Sequence, residues 1–397
     1  LKEKLASSGA VLIEGAKWCG KTSTGNRAAK SIIYMQDPDR AKGYLKLADT
    51  QPSILLEGEN PRLIDEWQMA PVLWDAVRFD VDKRGGFGHF ILTGSAVPKD
   101  GTTMHTGTER ISRLLMRPMS LWESKESTGQ VSLKDLFEGK HNVHGENKLT
   151  IKDIGKILCR GGWPEAVTNE NASCMVARNY VDSVVNLDVQ RVDGVERNPT
   201  RVRALLRSYA RNISTMTTYT TILNDVNTND TTFSDTTMNS YMNALRRIFV
   251  IEDTPAWKPS LRSKTGIRSS TKQQFVDPSI ATAVMHLDEQ SILNDFEYFG
   301  FLFESLVTRD LRIYSQTLDG EIYYYHDRLD DGRWAAMEVK LGNEEIEDGA
   351  KHLCDLRDRV DTSKVGEPSF LMVITGGQFA YRRNDGVLIV PIGCLRP

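Results

Sequence analysis

The chain has little cysteine, no long hydrophobic run and almost no net charge, and each of these absences removes a class of protein. Its five cysteines, Cys19, Cys159, Cys174, Cys354 and Cys394, lie far apart in 397 residues. None forms the paired spacing of a zinc site and no disulfide framework is implied, so reduced thiols in a cytoplasmic protein are expected. No apolar stretch approaches the roughly 18 to 20 residues that cross a bilayer, and no signal-type segment stands at the start. Cytoplasmic localisation without a membrane partner is therefore the expectation. The sequence starts at Leu1 rather than methionine, which predicts that further residues precede it in the full protein. A formal charge of −3 gives no global argument for nucleic acid as a partner. There is no internal repeat and no low-complexity tract. What is present is an ordinary globular composition, 40% hydrophobic and 26% charged, at a length that suits two or three domains.

One local pattern carries chemistry at once. Gly15-Ala16-Lys17-Trp18-Cys19-Gly20-Lys21-Thr22, preceded by the apolar run Ala10-Val11-Leu12-Ile13, meets every position of a nucleotide phosphate-binding loop. Glycines at 15 and 20 let the backbone wrap a β-phosphate and aim its NH groups inward, at the start of a helix whose dipole favours anions. Lys21 would reach the β- and γ-phosphates, the Thr22 hydroxyl would ligate Mg²⁺, and Ser23 completes the phosphate-facing set. ATP and Mg²⁺ are the ligands this implies. Further on, Arg62-Leu63-Ile64-Asp65-Glu66-Trp67 ends a short apolar strand in two carboxylates. Asp65 would hold Mg²⁺, directly or through water, and Glu66 would orient and deprotonate the attacking water.

A third strand, His89 to Ser95, ends in the hydroxyls of Thr93 and Ser95. They either sense the γ-phosphate from the neighbouring strand end or cap the next turn. Arg110, Arg113 and Arg117 flank the β-type stretch Leu114-Leu115-Met116. Arg110 or Arg113 would serve as an arginine finger for a neighbouring subunit, which presupposes a homo-oligomer; the alternative is an ordinary surface arginine.

These motifs together resemble the prokaryotic AAA-type ATPases that carry a C-terminal domain of unknown function, DUF4143. Later segments agree with that resemblance: Arg160-Gly161-Gly162-Trp163-Pro164-Glu165, Arg207 to Asn212, Phe275-Val276-Asp277-Pro278 and Gly300 to Ser305. The resemblance spans nearly the whole chain and implies an AAA+ type ATPase. The expected division is a P-loop domain over 1–123, a helical lid or connector over 124–198, a winged-helix-like element over 199–270 and a nuclease-fold, DUF4143-like domain over 271–397.

Within 124–198, apolar residues Val176, Tyr180, Val184 and Leu187 recur at helical spacing and are expected to pack inward. Three amphipathic helices are expected over 200–213, 218–226 and 234–248, followed by a strand over 249–252 and a basic loop. That is the order of a winged helix, whose third helix enters the major groove. Arg246 and Arg247 on that helix, and Arg262, Lys264 and Arg268 in the loop, are the expected DNA contacts. The competing reading is a winged helix that binds protein or forms the ATPase lid.

In the last segment, Glu321 to Tyr325 and Trp334 to Lys340 read as strands. Glu338 and Lys340 lie two apart on one strand face and resemble the second half of the PD-(D/E)xK nuclease pattern, with Glu304 as the helical acid and Mg²⁺ held between carboxylates. The strand that carries the first aspartate of that pattern is not recognisable. Asp327 or Asp330 substitutes for it, the nuclease is degenerate, or residues are missing.

The fold expected is thus α/β: a P-loop AAA+ type parallel sheet, a helical and winged-helix region, and a PD-(D/E)xK nuclease-like α/β domain. The function expected is a Mg²⁺-dependent ATPase that binds DNA, with branched DNA favoured by fold analogy alone. The alternatives are a nucleotide-gated signalling or defence ATPase acting on a protein partner, and an ATP-driven nuclease.

Overall fold

Alternating apolar side chains in the first part of the chain build a sheet covered on both faces. The computed structural model describes residues 1–94, 110–169, 173–192, 194–227, 233–257, 271–324, 326–329 and 332–397. The chain opens with α1 (Lys2–Ser7), β1 (Ala10–Gly15), α2 (Lys21–Ala28), β2 (Ser31–Tyr34), α3 (Ala41–Thr50), β3 (Arg62–Asp65), α4 (Val72–Arg84), β4 (Phe90–Gly94) and β5 (Ile111–Met116). The strands lie in the order β2-β3-β4-β1-β5 and every neighbouring pair is parallel, as the sequence pattern predicts. Leu12, Ile64 and Leu92 face one way and pack with Leu73, Trp74 and Val77 of α4. Ile13, Leu63 and Ile91 face the other way, with Leu5 of α1 and Ala28 of α2 against them. Each such side chain contributes roughly 1.5–3 kcal/mol by leaving water, so strands buried on both sides need near-continuous apolar runs.

Next come β6 (Val131–Ser132), α5 (Leu133–Phe137), β7 (Gly145–Glu146), α6 (Ile151–Arg160), α7 (Pro164–Thr168) and α8 (Ser173–Ser183). A π-helical turn over Val184–Asp188 joins α8 to α9 (Val189–Arg191), and α10 (Pro199–Arg211), α11 (Tyr219–Asn227) and α12 (Asp235–Arg247) come after it. Local chemistry starts these helices. The Thr150 and Asp153 side chains form a reciprocal capping box on α6, and the Asn198 side chain accepts from the Thr200 and Arg201 amides with Pro199 at the first helical position of α10. The three helices expected over 200–248 are α10 to α12.

Two expectations in this region are corrected. Leu187 is not in the core but 48% exposed, because the π turn inserts an extra residue and rotates it off the face that buries Val176, Tyr180 and Val184. No strand forms over 249–252. Phe249 takes a φ of +58°, which interrupts extended backbone, and pairing is limited to single antiparallel bridges, Ile251 with Phe275 and Thr254 with Lys272.

The remaining elements are α13 (Ser279–Val284), α14 (Glu289–Leu293), α15 (Phe296–Gln316), β8 (Gly320–Tyr323), β9 (His326–Leu329), β10 (Trp334–Lys340), α16 (Ile346–Arg359), α17 (Thr362–Val365), β11 (Leu371–Thr375), β12 (Phe379–Arg382), β13 (Leu388–Pro391) and β14 (Leu395–Arg396). They form a seven-stranded mixed sheet in the order β7-β12-β13-β11-β10-β9-β8. Only β10, β11 and β13 pair in parallel within it. Trp334, Ala336, Leu371, Val373 and Ile389 bury one face against Ile346, Ala350 and Leu353 of α16. Among the described residues no helix is long and apolar enough to cross a membrane.

Packing divides the chain into two compact units, one of Leu1–Pro118, Asn186–Arg197 and Ser240–Val250, the other of Met119–Val185, Asn198–Asn239 and Ile251–Pro397. These units are discontinuous in sequence. In the second unit the wholly buried Arg309 guanidinium lies 2.9 Å from Asp277 and 2.7 Å from Asp310. Asp277 accepts from the Gly162 amide and Asp310 from the Leu121 amide, so one cation organises four segments that are distant in sequence. Arg309→Leu would strand two carboxylates in the interior. It is expected to cost about 3–5 kcal/mol in urea unfolding, and a loss below about 1 kcal/mol would contradict this role.

Candidate nucleotide site

The phosphate loop leaves the carboxyl end of β1, where the parallel sheet gathers the ends of its strands. Gly15 has a φ of +143°, and a Cβ built there would stand 1.9 Å from the Met116 carbonyl oxygen of the adjoining strand. Gly20 caps α2 in the left-handed region at φ +98°, and Trp18, at +66°, adds a second left-handed step to the loop. The Lys21 side chain is buried, and its ammonium donates to the Gly15 carbonyl at 3.0 Å and the Ala16 carbonyl at 2.7 Å. Ser23, in the first turn of α2, is exposed. The Cys19 thiol points away from this surface. It is buried and donates to the Met116 carbonyl, and burial pushes its pKa up.

The wholly buried carboxylate of Asp65, at the end of β3, collects three neutral donors. Thr22 Oγ1 lies 2.8 Å away, Thr93 Oγ1 2.5 Å and the Gln36 amide 3.4 Å. Asp65 forms no ion pair among the described residues, so a buried anion faces the Thr22 hydroxyl without a cation of the chain's own to offset it. That donor set fits Mg²⁺. Glu66 comes next, in the left-handed region at φ +58°, a conformation a glutamate adopts only where its surroundings hold it there, and its carboxylate accepts from the Gln68 amide. Gln36 carried no signal in the sequence, since a lone glutamine after a strand has no fixed meaning. Ser95 lies outside the described residues.

An AAA domain family matches residues 7–125, a domain of unknown function, DUF8612, matches 151–291, and DUF4143 matches 299–395. The chain therefore carries an AAA domain and, toward its C-terminal end, a DUF4143 domain, the combination its sequence resembles. Among solved structures, a Walker-type ATPase of Pyrococcus abyssi is 14% identical, with 72% of this chain and 93% of that chain covered at a TM-score of 0.43. No curated protein matches. The DUF8612 match runs from α6 to α14 and so crosses the expected boundary at residue 198.

In the AAA domain, the three arginines take distinct positions. Arg110 precedes β5 at the amino end of the sheet, because Ile111 pairs with Ala10, and it bonds Asp82 at 2.8 Å. Arg113, in mid-strand, holds Glu14 at 2.9 Å; burial pushes the Glu14 pKa up and Arg113 pulls it back. Arg117 directly follows Met116, the register partner of Gly15, and so stands at the rim from which the phosphate loop leaves.

In the DUF4143 domain, a cleft of about 440 Å³ gathers Lys272, Glu304, Glu338 and His352. Glu304 is ion-paired with Lys272, and Glu338 lies 3.5 Å from both Lys340 and His352. Asp327 is in β9 opposite Ala335, but its side chain, like the whole of Asp330, lies outside the described residues. Among the described residues no group of three acidic, histidine or cysteine side chains can hold a metal ion. Arg246 and Arg247 are half-buried and engaged within the chain, whereas Arg262, Lys264 and Arg268 lie outside the described residues.

Gly15→Ala places a methyl group against the Met116 carbonyl in a backbone region hostile to alanine. The substitution is expected to destabilise the protein by about 3 kcal/mol and to abolish ATP binding, checked by thermal unfolding and calorimetric titration. Parental ATP affinity in this variant would contradict the geometry described.

Proposed function

We propose that this AAA-type ATPase hydrolyses ATP with Mg²⁺ at the Lys21 site and binds DNA through residues downstream of it. The observation that carries the hydrolytic reading is the convergence of Thr22 and Thr93 on the buried Asp65 carboxylate, with Lys21 directly before Thr22 at the start of α2. Mg²⁺ would lie against Thr22 and Asp65 and neutralise charge on the β- and γ-phosphates. Lys21 gives up its carbonyl partners to the phosphate oxygens. Glu66, held by its backbone and by Gln68, takes a proton from the water whose oxygen attacks the γ-phosphorus as the bond to the ADP oxygen breaks. Thr93 keeps Asp65 oriented while this happens. A finger acts on a neighbouring copy, so Arg110 and Arg113 need not lie at their own phosphate loop and stay candidates for that role in a homo-oligomer.

What supports the DNA reading is an order of elements: α10, α11 and α12, then antiparallel bridges from 251–254 to 272–275 that frame the basic stretch 258–270. Thr236, Asn239 and Asn243 give α12 an exposed polar face. These are donors suited to base edges and phosphates in a groove. Branched DNA is the sharper form of this proposal.

Lys21→Ala is expected to abolish ATP binding, whereas Glu66→Gln should retain it and lose at least about a hundredfold in turnover. Equal turnover in Glu66→Gln and the parent would refute the assigned base. For DNA, fluorescence anisotropy with linear duplex, single-stranded and four-way-junction probes at two salt concentrations should show binding that weakens with salt. Replacing Arg262, Lys264 and Arg268 together by alanine should reduce the salt slope by about 2–3 and leave ATP affinity alone. No binding to any probe would refute the DNA reading in favour of an ATPase that acts on a protein partner.

A further inference from the structure

The phosphate loop holds a second lysine with an assigned partner. Lys17 Nζ lies 3.1 Å from Asp188 Oδ1 and 3.4 Å from Oδ2, and it stands 5.6 Å from the ring centre of Trp18. The two side chains are 35% and 14% exposed, so the pair is partly shielded from water and stronger than a surface ion pair of the same length. Asp188 ends the π-helical turn, and the extra residue in that turn rotates the downstream residues by about 100° relative to a continuous α-helix. The rotation that turns Leu187 outward also brings Asp188 to the loop. In the same segment the buried Arg197 donates to the Val189 carbonyl at 2.9 Å and to Ser240 Oγ of α12 at 3.1 Å, and its guanidinium stands over the Tyr241 ring. Lys17, Asp188, Val189, Arg197 and Ser240 therefore form one run of polar contacts and chain bonds inside the first compact unit.

We propose that Asp188 is a positioning residue of the phosphate loop, which competes with nucleotide phosphates for Lys17 and so passes nucleotide state to α12 through Arg197. The inference rests on the reading of the loop as a nucleotide site and is independent of the DNA reading. The physical basis is charge. A triphosphate bound in the loop brings several negative charges close to the Lys17 ammonium, which must then divide its attraction between them and Asp188. Whatever nucleotide gains from Lys17, the segment 186–197 loses, and the π turn is the element able to relax. Linkage makes the effect reciprocal, so a ligand that shifts α12 changes nucleotide affinity by the same factor.

Two measurements test this: ATP affinity by calorimetry, and amide hydrogen exchange over residues 240–247 with and without ATP. Asp188→Asn keeps size and polarity but removes the charge that Lys17 faces. It should bind ATP about threefold more tightly and lose the ATP-dependent change in exchange over 240–247 that the parent shows. Asp188→Glu, which restores the charge, should behave as the parent does, and Lys17→Ala should abolish the exchange response. Parental ATP affinity in Asp188→Asn, or an exchange response that persists in it, overturns the proposal. Failure of the parent itself to bind ATP overturns the nucleotide reading, and is seen separately in the same titration.

Discussion

The α-carbon of Gly15 rests against the Met116 carbonyl with no room for a side chain, and the nucleotide site is arranged around that contact. It exists because β1 lies between β4 and β5 rather than at a sheet edge. Close approach on one side sets where the phosphate loop turns, and the parallel partner on the other side sets where Thr93 stands relative to it. The register that pairs Asp65 with Thr93 then puts a carboxylate next to the Thr22 hydroxyl at the start of α2. The turn of the loop and the meeting of the Asp65 carboxylate with the Thr22 and Thr93 hydroxyls are thus consequences of one strand order.

The second unit is organised by a different force. Its core is apolar where α16 covers the sheet, but its segments are aligned by the buried Asp277, Arg309 and Asp310. Buried ion pairs are poor sources of net stability, because desolvation offsets most of the attraction. What this one contributes is selection among packings, since any arrangement that withdraws Gly162 or Leu121 leaves a buried charge short of its partner. This gives a structural role to two short motifs that stand out in the sequence, Arg160 to Glu165 and Phe275 to Pro278. They supply the backbone amide and the carboxylate of a structural knot.

Much of the fold was legible because its signals are local. Apolar runs marked β1, β3 and β4, the glycine spacing marked the phosphate loop, and helical periodicity marked α10 to α12 within a few residues. Legibility failed where geometry departs from a regular period. A single π turn moved Leu187 out of the core that a spacing of 3.6 residues predicts for it, and a left-handed Phe249 ended a strand that its apolar neighbours suggest. The Glu338 and Lys340 pattern shows a different limit. The strand was read correctly to the residue, but strand spacing says nothing of which group stands opposite each acid, and Lys272 and His352 come from elsewhere in the chain.

Sequence alone determined which residues are candidates for the site: Gly15, Gly20, Lys21, Thr22, Asp65 and Thr93 are named by motifs whose spacing encodes a backbone conformation or a strand end. Tertiary structure alone decided what those groups face. It brought Gln36 to Asp65, and Asp188 to Lys17 across 171 positions of chain. The physical reason is that backbone conformation is set by near neighbours, whereas the field at a charged side chain is set by whatever the fold carries to within a few ångströms of it, at any distance along the sequence.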